Sequence, residues 1–290
     1  MSEIFHPICV KRILVSLDSS LHSYAALHIA VEIAHHYEAE IEGVFIKDIT
    51  LLDLAELPFR QEVGEYSAIV REISIDGISS GINVQSRWII RAFHKCVHQT
   101  NLKTNFKILR GKVLETIKQE SEKCDLLILG KSGTNTLRRE KLGSTAKAII
   151  NKQQKSLLLA EKENRLGYPM ILFYDDSPVG MVSLETSRDL IDESEMLVIL
   201  LRDDDPKYFE EKKKVINNWA SNNQVKITIQ NYNSRNFGRF LQKIDGLKEG
   251  LLILPAIQEE EKMVFIKQCL EKVSLPILLI FHPVTIETST

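Results

Sequence analysis

Residues 124–150 read CDLLILGKSGTNTLRREKLGSTAKAII, and the interpretation of the whole chain turns on this stretch. An apolar run at 126–129 stops at Gly130, a polar loop carrying Gly133 follows, and Gly143, Ser144 and Thr145 open a segment with helical spacing. The pattern predicts a strand, a loop and a helix N-terminus. Two residues separate Gly130 from Gly133 and nine separate Gly133 from Gly143, with a hydroxyl residue directly after the last glycine. Glycine lets backbone pass close to a ligand, and the start of a helix offers unpaired N–H groups to an anion. The same glycines also suit a left-handed turn and a helix cap with no ligand involved. Gly130-Lys131-Ser132 has the ending of a Walker A loop, but that motif needs a glycine where Asp125 stands.

Working outward, 12–17 is a β-branched and apolar run, RILVSL, that stops at Asp18-Ser19-Ser20, a group able to start and cap a helix. Apolar spacing then predicts a helix over 21–37 and a strand over 41–46, one βαβ unit. Residues 48–65, with Pro58 and Gly64, are expected to form a loop carrying a short helix, and 66–99 a mainly helical stretch interrupted near 77–81. Trp88, Ile89, Ala92, Phe93 and Val97 are placed on one face of it. A strand at 106–109, helices at 112–122 and 146–151, and a strand at 156–160 complete a first unit.

A charged link, 161–167, leads into a second copy whose opening strand, 170–174, ends in Asp175-Asp176-Ser177, 157 residues after Asp18-Ser19-Ser20. Helices near 182–191, 208–220 and 237–247 alternate with strands at 197–201, 225–229, 250–254 and 275–280. Where Gly130 stands in the first copy, Pro255 stands in the second, followed by Ala-Ile-Gln-Glu-Glu-Glu. Glutamates suit a bare helix N-terminus and repel a polyphosphate, so the second copy is expected to bind no nucleotide.

Composition bounds the function classes. The 290 residues suit two domains, and 44% hydrophobic with 26% charged residues is ordinary for a soluble globular protein. A formal charge of −2 gives no basic excess for nucleic acid. No apolar run approaches the roughly 20 residues that span a bilayer, and a cytoplasmic protein without a membrane partner is expected. Cys9, Cys96, Cys124 and Cys269 lack CxxC pairing. His94 and His98 share a helix face without the glutamate a metalloprotease requires, and neither a metal site nor a catalytic triad is assigned.

The Gly-x2-Gly-x9-Gly-Ser spacing, together with Asp18 at the end of the first strand, resembles the nucleotide loop of the universal stress protein family, strongly in the first half and weakly in the second. The resemblance implies an α/β fold of two tandem domains, 1–162 and 168–284. Each would be a five-stranded, mostly parallel sheet with helices on both faces, Rossmann-like and of the adenine-nucleotide-binding type. It implies an ATP-binding stress-response regulator. Gly130, Gly133, Gly143 and the amides of Ser144 and Thr145 would surround ribose and phosphates, with Leu17 and Asp18 at the nucleoside and Val44 at the adenine wall. Lys131 would lie beside the loop, and Mg2+ would accompany the triphosphate. A branched side chain at Gly143 is expected to be strained wherever its φ is positive. Asp18 also reads as a helix N-cap, and Thr134, Arg138, Arg139 and Lys141 are further loop candidates. The terminal strands, 157–159 and 277–280, are expected to pair inside the chain as an intramolecular pseudo-dimer, with a homodimer of such chains left open. Two other functions stay open: a slow ATPase or self-phosphorylating enzyme, and a nucleotide-independent interaction module.

Overall fold

The computed structural model describes residues 5–50, 53, 61–63, 70–72, 75–133, 142–152, 154–162, 165–202, 206–233, 235–257 and 259–281. The first half runs β1 (Arg12–Ser16), α1 (Leu21–Tyr37), β2 (Glu40–Asp48), β3 (Gln61–Val63), β4 (Val70–Glu72), α2 (Ile75–Val97), β5 (Thr104–Gly111), α3 (Val113–Ser121), β6 (Leu126–Gly130), α4 (Ser144–Ile150) and β7 (Ser156–Ala160). The second half runs β8 (Arg165–Tyr174), α5 (Pro178–Leu190), β9 (Leu197–Arg202), α6 (Pro206–Asn223), β10 (Ile227–Tyr232), α7 (Phe237–Asp245), β11 (Glu249–Pro255), α8 (Glu260–Lys272) and β12 (Ile277–Ile280).

Ten strands form one sheet in the order β10-β9-β8-β11-β12-β7-β6-β1-β2-β5. Within each half the five strands are parallel, in the same doubly wound order. The halves join through β7 and β12, which run antiparallel with Leu157, Leu158 and Leu159 opposite Leu279, Leu278 and Ile277. Every residue of both strands is buried. Two exposed apolar edges thus cover each other, and burial stabilises each leucine by on the order of 2 kcal/mol.

Strand alternation divides the core into two layers. Ile13, Val15, Ile41, Leu126, Ile128 and Leu158 face α1 and α2, together with their second-half counterparts facing α5 and α6. Leu14, Val44, Leu127, Leu129, Leu157 and Leu159 face α3 and α4, with Leu252, Leu254, Ile277 and Leu279 continuing that layer beneath α7 and α8. Helices therefore cover both faces, and each apolar layer runs unbroken across the junction.

Four expectations are corrected. Residues 70–72 are a strand paired with 61–63, where a helix was expected. The helix that follows is continuous for 23 residues through Gly77 and Gly81, since an isolated glycine costs a helix only about 1 kcal/mol and does not break it. Its buried stripe is Ser86, Ile89, Phe93 and Val97, while Trp88, one position off this 3.6-residue spacing, is 62% exposed. The link between halves is shorter than expected, since β8 already begins at Arg165. The short helix expected within 48–65 falls mostly outside the described residues.

Candidate functional site

The first half changes direction between β1 and β6, the point at which an open α/β sheet leaves a crevice outside its strand ends. A cleft of about 380 Å³ opens there. It is lined by Ser16 and Asp18 from the end of β1, Ser23 from α1, Val113 and Ile117 from α3, and Leu129 and Gly130 from β6. Ser132, Gly133, Leu142, Gly143, Ser144, Thr145 and Ala146 complete the lining.

Asp18 begins a tightly bonded turn. Its backbone N–H donates to Ser23 Oγ at 3.3 Å, and its Oδ1 accepts from Ser20 N at 3.0 Å. Ser20 Oγ then caps α1, accepting from Ser23 N at 3.1 Å. Asp18 is thus the anchor of the turn, and Ser20 is the N-cap that the sequence reading offered to Asp18. Ser19 between them has φ 65°, a left-handed conformation that costs a non-glycine residue on the order of 1 kcal/mol. Asp18 Oδ2 faces Gly133, where a Cβ would lie 3.1 Å from it.

Close packing excludes a side chain at Gly130 and restricts one at Gly143. A Cβ on Gly130 would meet the backbone of His22 and Ser23 at 2.9 Å, so this glycine lets β6 run against the first turn of α1. A Cβ on Gly143 would lie 3.3 Å from Ser132 Cα and 3.4 Å from Gly133 N. Gly143 has φ −68°, so the condition for backbone strain is not met and contact with the loop restricts the position. Its N–H donates to Lys131 O at 2.8 Å, and Ser144 and Thr145, as the first residues of α4, have no helical carbonyl one turn earlier to accept from their amides.

Asp18, Gly130, Gly133, Gly143, Ser144 and Thr145 are therefore brought together in one cleft, and Leu17, Val44 and Lys131 are not. Leu17, directly after the end of β1, is buried in the α1 layer on the other side of the sheet from Ser16. Val44 is fully buried in the layer beneath α3 and α4, without surface on the cleft. The Lys131 side chain is also fully buried and reaches the backbone carbonyl of Val273 in the second half. Thr134, Arg138, Arg139 and Lys141 lie outside the described residues. Sequence reasoning missed Ser16, the hydroxyl residue at the end of β1, and the Val113–Ile117 pair, whose i, i+4 spacing on α3 turns both toward the cleft.

The corresponding region of the second half is built differently. An offset of 157 residues equates Ser16 with Phe173, and the equal lengths of α3 and α7 equate Val113 with Phe237. The buried triplets Ala146, Ile149, Ile150 and Ile266, Cys269, Leu270 equate Thr145 with Phe265. Three residues that line the first cleft are thus phenylalanines here. Their ring centroids lie 5.0 to 6.1 Å apart, with Tyr232 5.1 Å from Phe173, a packed aromatic cluster. Asp175, the counterpart of Asp18, pairs with Lys262 of α8 at 3.2 Å.

Fold and cleft together define a tandem, doubly wound α/β protein with a crevice at the strand-order switch of its first half. The family model for universal stress proteins matches residues 10–160, just over half of the chain, and the protein belongs to that family. A universal stress protein of Methanocaldococcus jannaschii is 26% identical over 157 residues, 53% of this chain and 84% of its own length. A solved universal stress protein from Archaeoglobus fulgidus superposes with a TM-score of 0.70 at 13% identity, covering 93% of this chain and 97% of its own. A functionally unknown protein from Pseudomonas aeruginosa gives a TM-score of 0.57 at 11% identity over 93% and 92%. At these identities the likeness is one of fold, and it extends over both halves. Among the described residues no helix is long and apolar enough to cross a membrane.

Proposed function

We propose that the first half binds one adenine nucleotide, ATP accompanied by Mg2+, in the β1/β6 cleft, and that the second half binds none. This makes the chain a nucleotide-responsive regulator. The observation that carries the reading is the joint lining of one cleft by Asp18, the three spaced glycines and the Ser144-Thr145 helix start, residues separated by more than a hundred positions. The volume of about 380 Å³ lies in the range of small-ligand sites. Glycine at 133 leaves the space beside Asp18 Oδ2 without a side chain, and Asp18 Oδ2 is an acceptor suited to a ribose hydroxyl. The amides of Ser144 and Thr145 suit phosphate oxygens. No group of three metal-ligating side chains occurs among the described residues, so the cation would arrive with the phosphates, as Mg2+ commonly does.

The aromatic cluster and the Asp175–Lys262 pair support a single site, because they fill and neutralise in the second half what is open in the first. Calorimetric titration with ATP and Mg2+ is expected to give one site per chain. Two equivalent sites would overturn the filled second cleft, and no binding at millimolar ATP would overturn the nucleotide reading.

A further inference from the structure

Helix α2 braces the turn between β1 and α1 that carries Asp18. Gln85, three turns into α2, donates from Nε2 to the backbone carbonyl of Asp18 at 2.9 Å and to Ser19 Oγ at 2.9 Å. Both amide hydrogens are thereby directed at the one turn whose carboxylate enters the cleft. Two residues earlier on the same helix, Asn83 Oδ1 accepts from Lys47 Nζ of β2 at 2.9 Å, so α2 is fixed over the strand ends as well.

With Gln85 in place, three of the hydrogen-bonding groups of Asp18 are engaged: N–H by Ser23, C=O by Gln85, and Oδ1 by Ser20. The remaining group, Oδ2, is left toward Gly133. Gln85 also holds the side chain of Ser19, the residue in the left-handed conformation. The second half contains an internal control. Its equivalent left-handed residue is Asp176, at φ 61°, and it is held locally, with Tyr174 OH donating to Asp176 Oδ1 at 3.1 Å. Tyr174 corresponds to Leu17, which carries no donor, so in the first half the anchor has to come from elsewhere in the chain.

We infer that Gln85 is a positioning residue for the nucleotide cleft, acting through Asp18, and that supplying it is a function of α2. The inference rests on the nucleotide reading only for its effect on affinity. Its effect on the Asp18–Ser20 turn stands without any ligand.

The test uses the full chain with Gln85→Glu, which keeps size but removes both donors, and Gln85→Ala, which removes them without adding charge. In ligand-free protein, the Ser20 amide is expected to exchange with solvent at least tenfold faster in both variants. Exchange in α5 and the thermal midpoint should stay at wild-type values. ATP–Mg2+ affinity, by titration calorimetry, is expected to fall about tenfold. Unchanged exchange at Ser20 in both variants overturns the inference, as does ATP affinity within twofold of wild type. Faster exchange in a protein whose wild type binds no ATP upholds the positioning role and rejects the nucleotide reading. If Gln85→Glu loses its fold, Gln85→Ala decides alone.

Discussion

The ammonium of Lys131, in the loop that follows β6, donates to the backbone carbonyl of Val273, the residue that caps the C-terminus of α8 in the other half of the chain. A cation at a helix C-terminus meets the negative end of the helix dipole, which offsets part of the cost of burying it. The same residue donates its N–H to Ala160 O at 2.8 Å and accepts from Gly143 N at 2.8 Å, tying the cleft loop to β7, α4 and α8 at once. Burial pushes the nearby Cys269 thiol up, and the Lys131 charge works against that rise.

Lys131→Ala removes the donor and leaves a cavity, and it is expected to destabilise the chain by about 3 kcal/mol. Lys131→Met restores most of the packing and is expected to cost about 1 to 2 kcal/mol for the carbonyl that loses a partner. Urea unfolding measures both. A methionine variant as stable as wild type would show that the cross-half hydrogen bond has no net value.

Gly143→Val tests the loop as a binding element. With φ at −68° the backbone tolerates a side chain, but the branched group must displace Ser132 and Gly133. ATP affinity is expected to fall more than about tenfold, corresponding to about 1.4 kcal/mol, while the thermal midpoint changes little. Retention of affinity within threefold would place the phosphates elsewhere.

Two alanine substitutions in the first half should have opposite signs. Gly130→Ala drives a Cβ to 2.9 Å from the α1 backbone and is expected to cost about 1 to 3 kcal/mol. Gly81→Ala, in an open position inside α2, is expected to stabilise by about 0.5 to 1 kcal/mol. Loss of stability in both variants would contradict the packing described for α2.

A pH series probes the Glu120 cluster. Lys123, at 2.6 Å, is the main influence holding the Glu120 carboxyl below its ordinary value of 4.5, and Lys107, at 3.1 Å, adds to it. A lowered carboxylate contributes stability above its unfolded-state value and loses it as pH falls through the folded-state value. Both lysines are substantially exposed, so Glu120→Gln is expected to cost about 0.5 to 1 kcal/mol at neutral pH. The difference from wild type should close as pH drops below 4.5. A gap that stays constant down to acid pH would mean that packing, not charge, gives Glu120 its effect.

Much of this protein was legible along the chain. Periodicities of 2 and 3.6 marked most strands and helices. The Gly130, Gly133 and Gly143 spacing, with Asp18 at a strand end, marked the residues that gather at the cleft. Those signals are local, since each residue's place in a strand or helix is written by neighbours a few positions away. The face each side chain takes is also local in principle, as the strand neighbours Leu14 and Val15 show by entering opposite layers.

What only the tertiary structure decided involves partners far apart in sequence. Nothing near Lys131 announces Val273, and nothing near Gln85 announces Asp18, because these contacts exist only once helices from distant segments pack on the same sheet. The need for glycine at 130 comes from α1 lying against it, and the need at 143 from the backbone at 132 and 133. The closure of the second cleft was indicated in sequence only by Pro255 and the glutamates. Its main physical cause is four aromatic rings contributed by β8, β10, α7 and α8, which meet because apolar rings pack together wherever the fold brings them within reach.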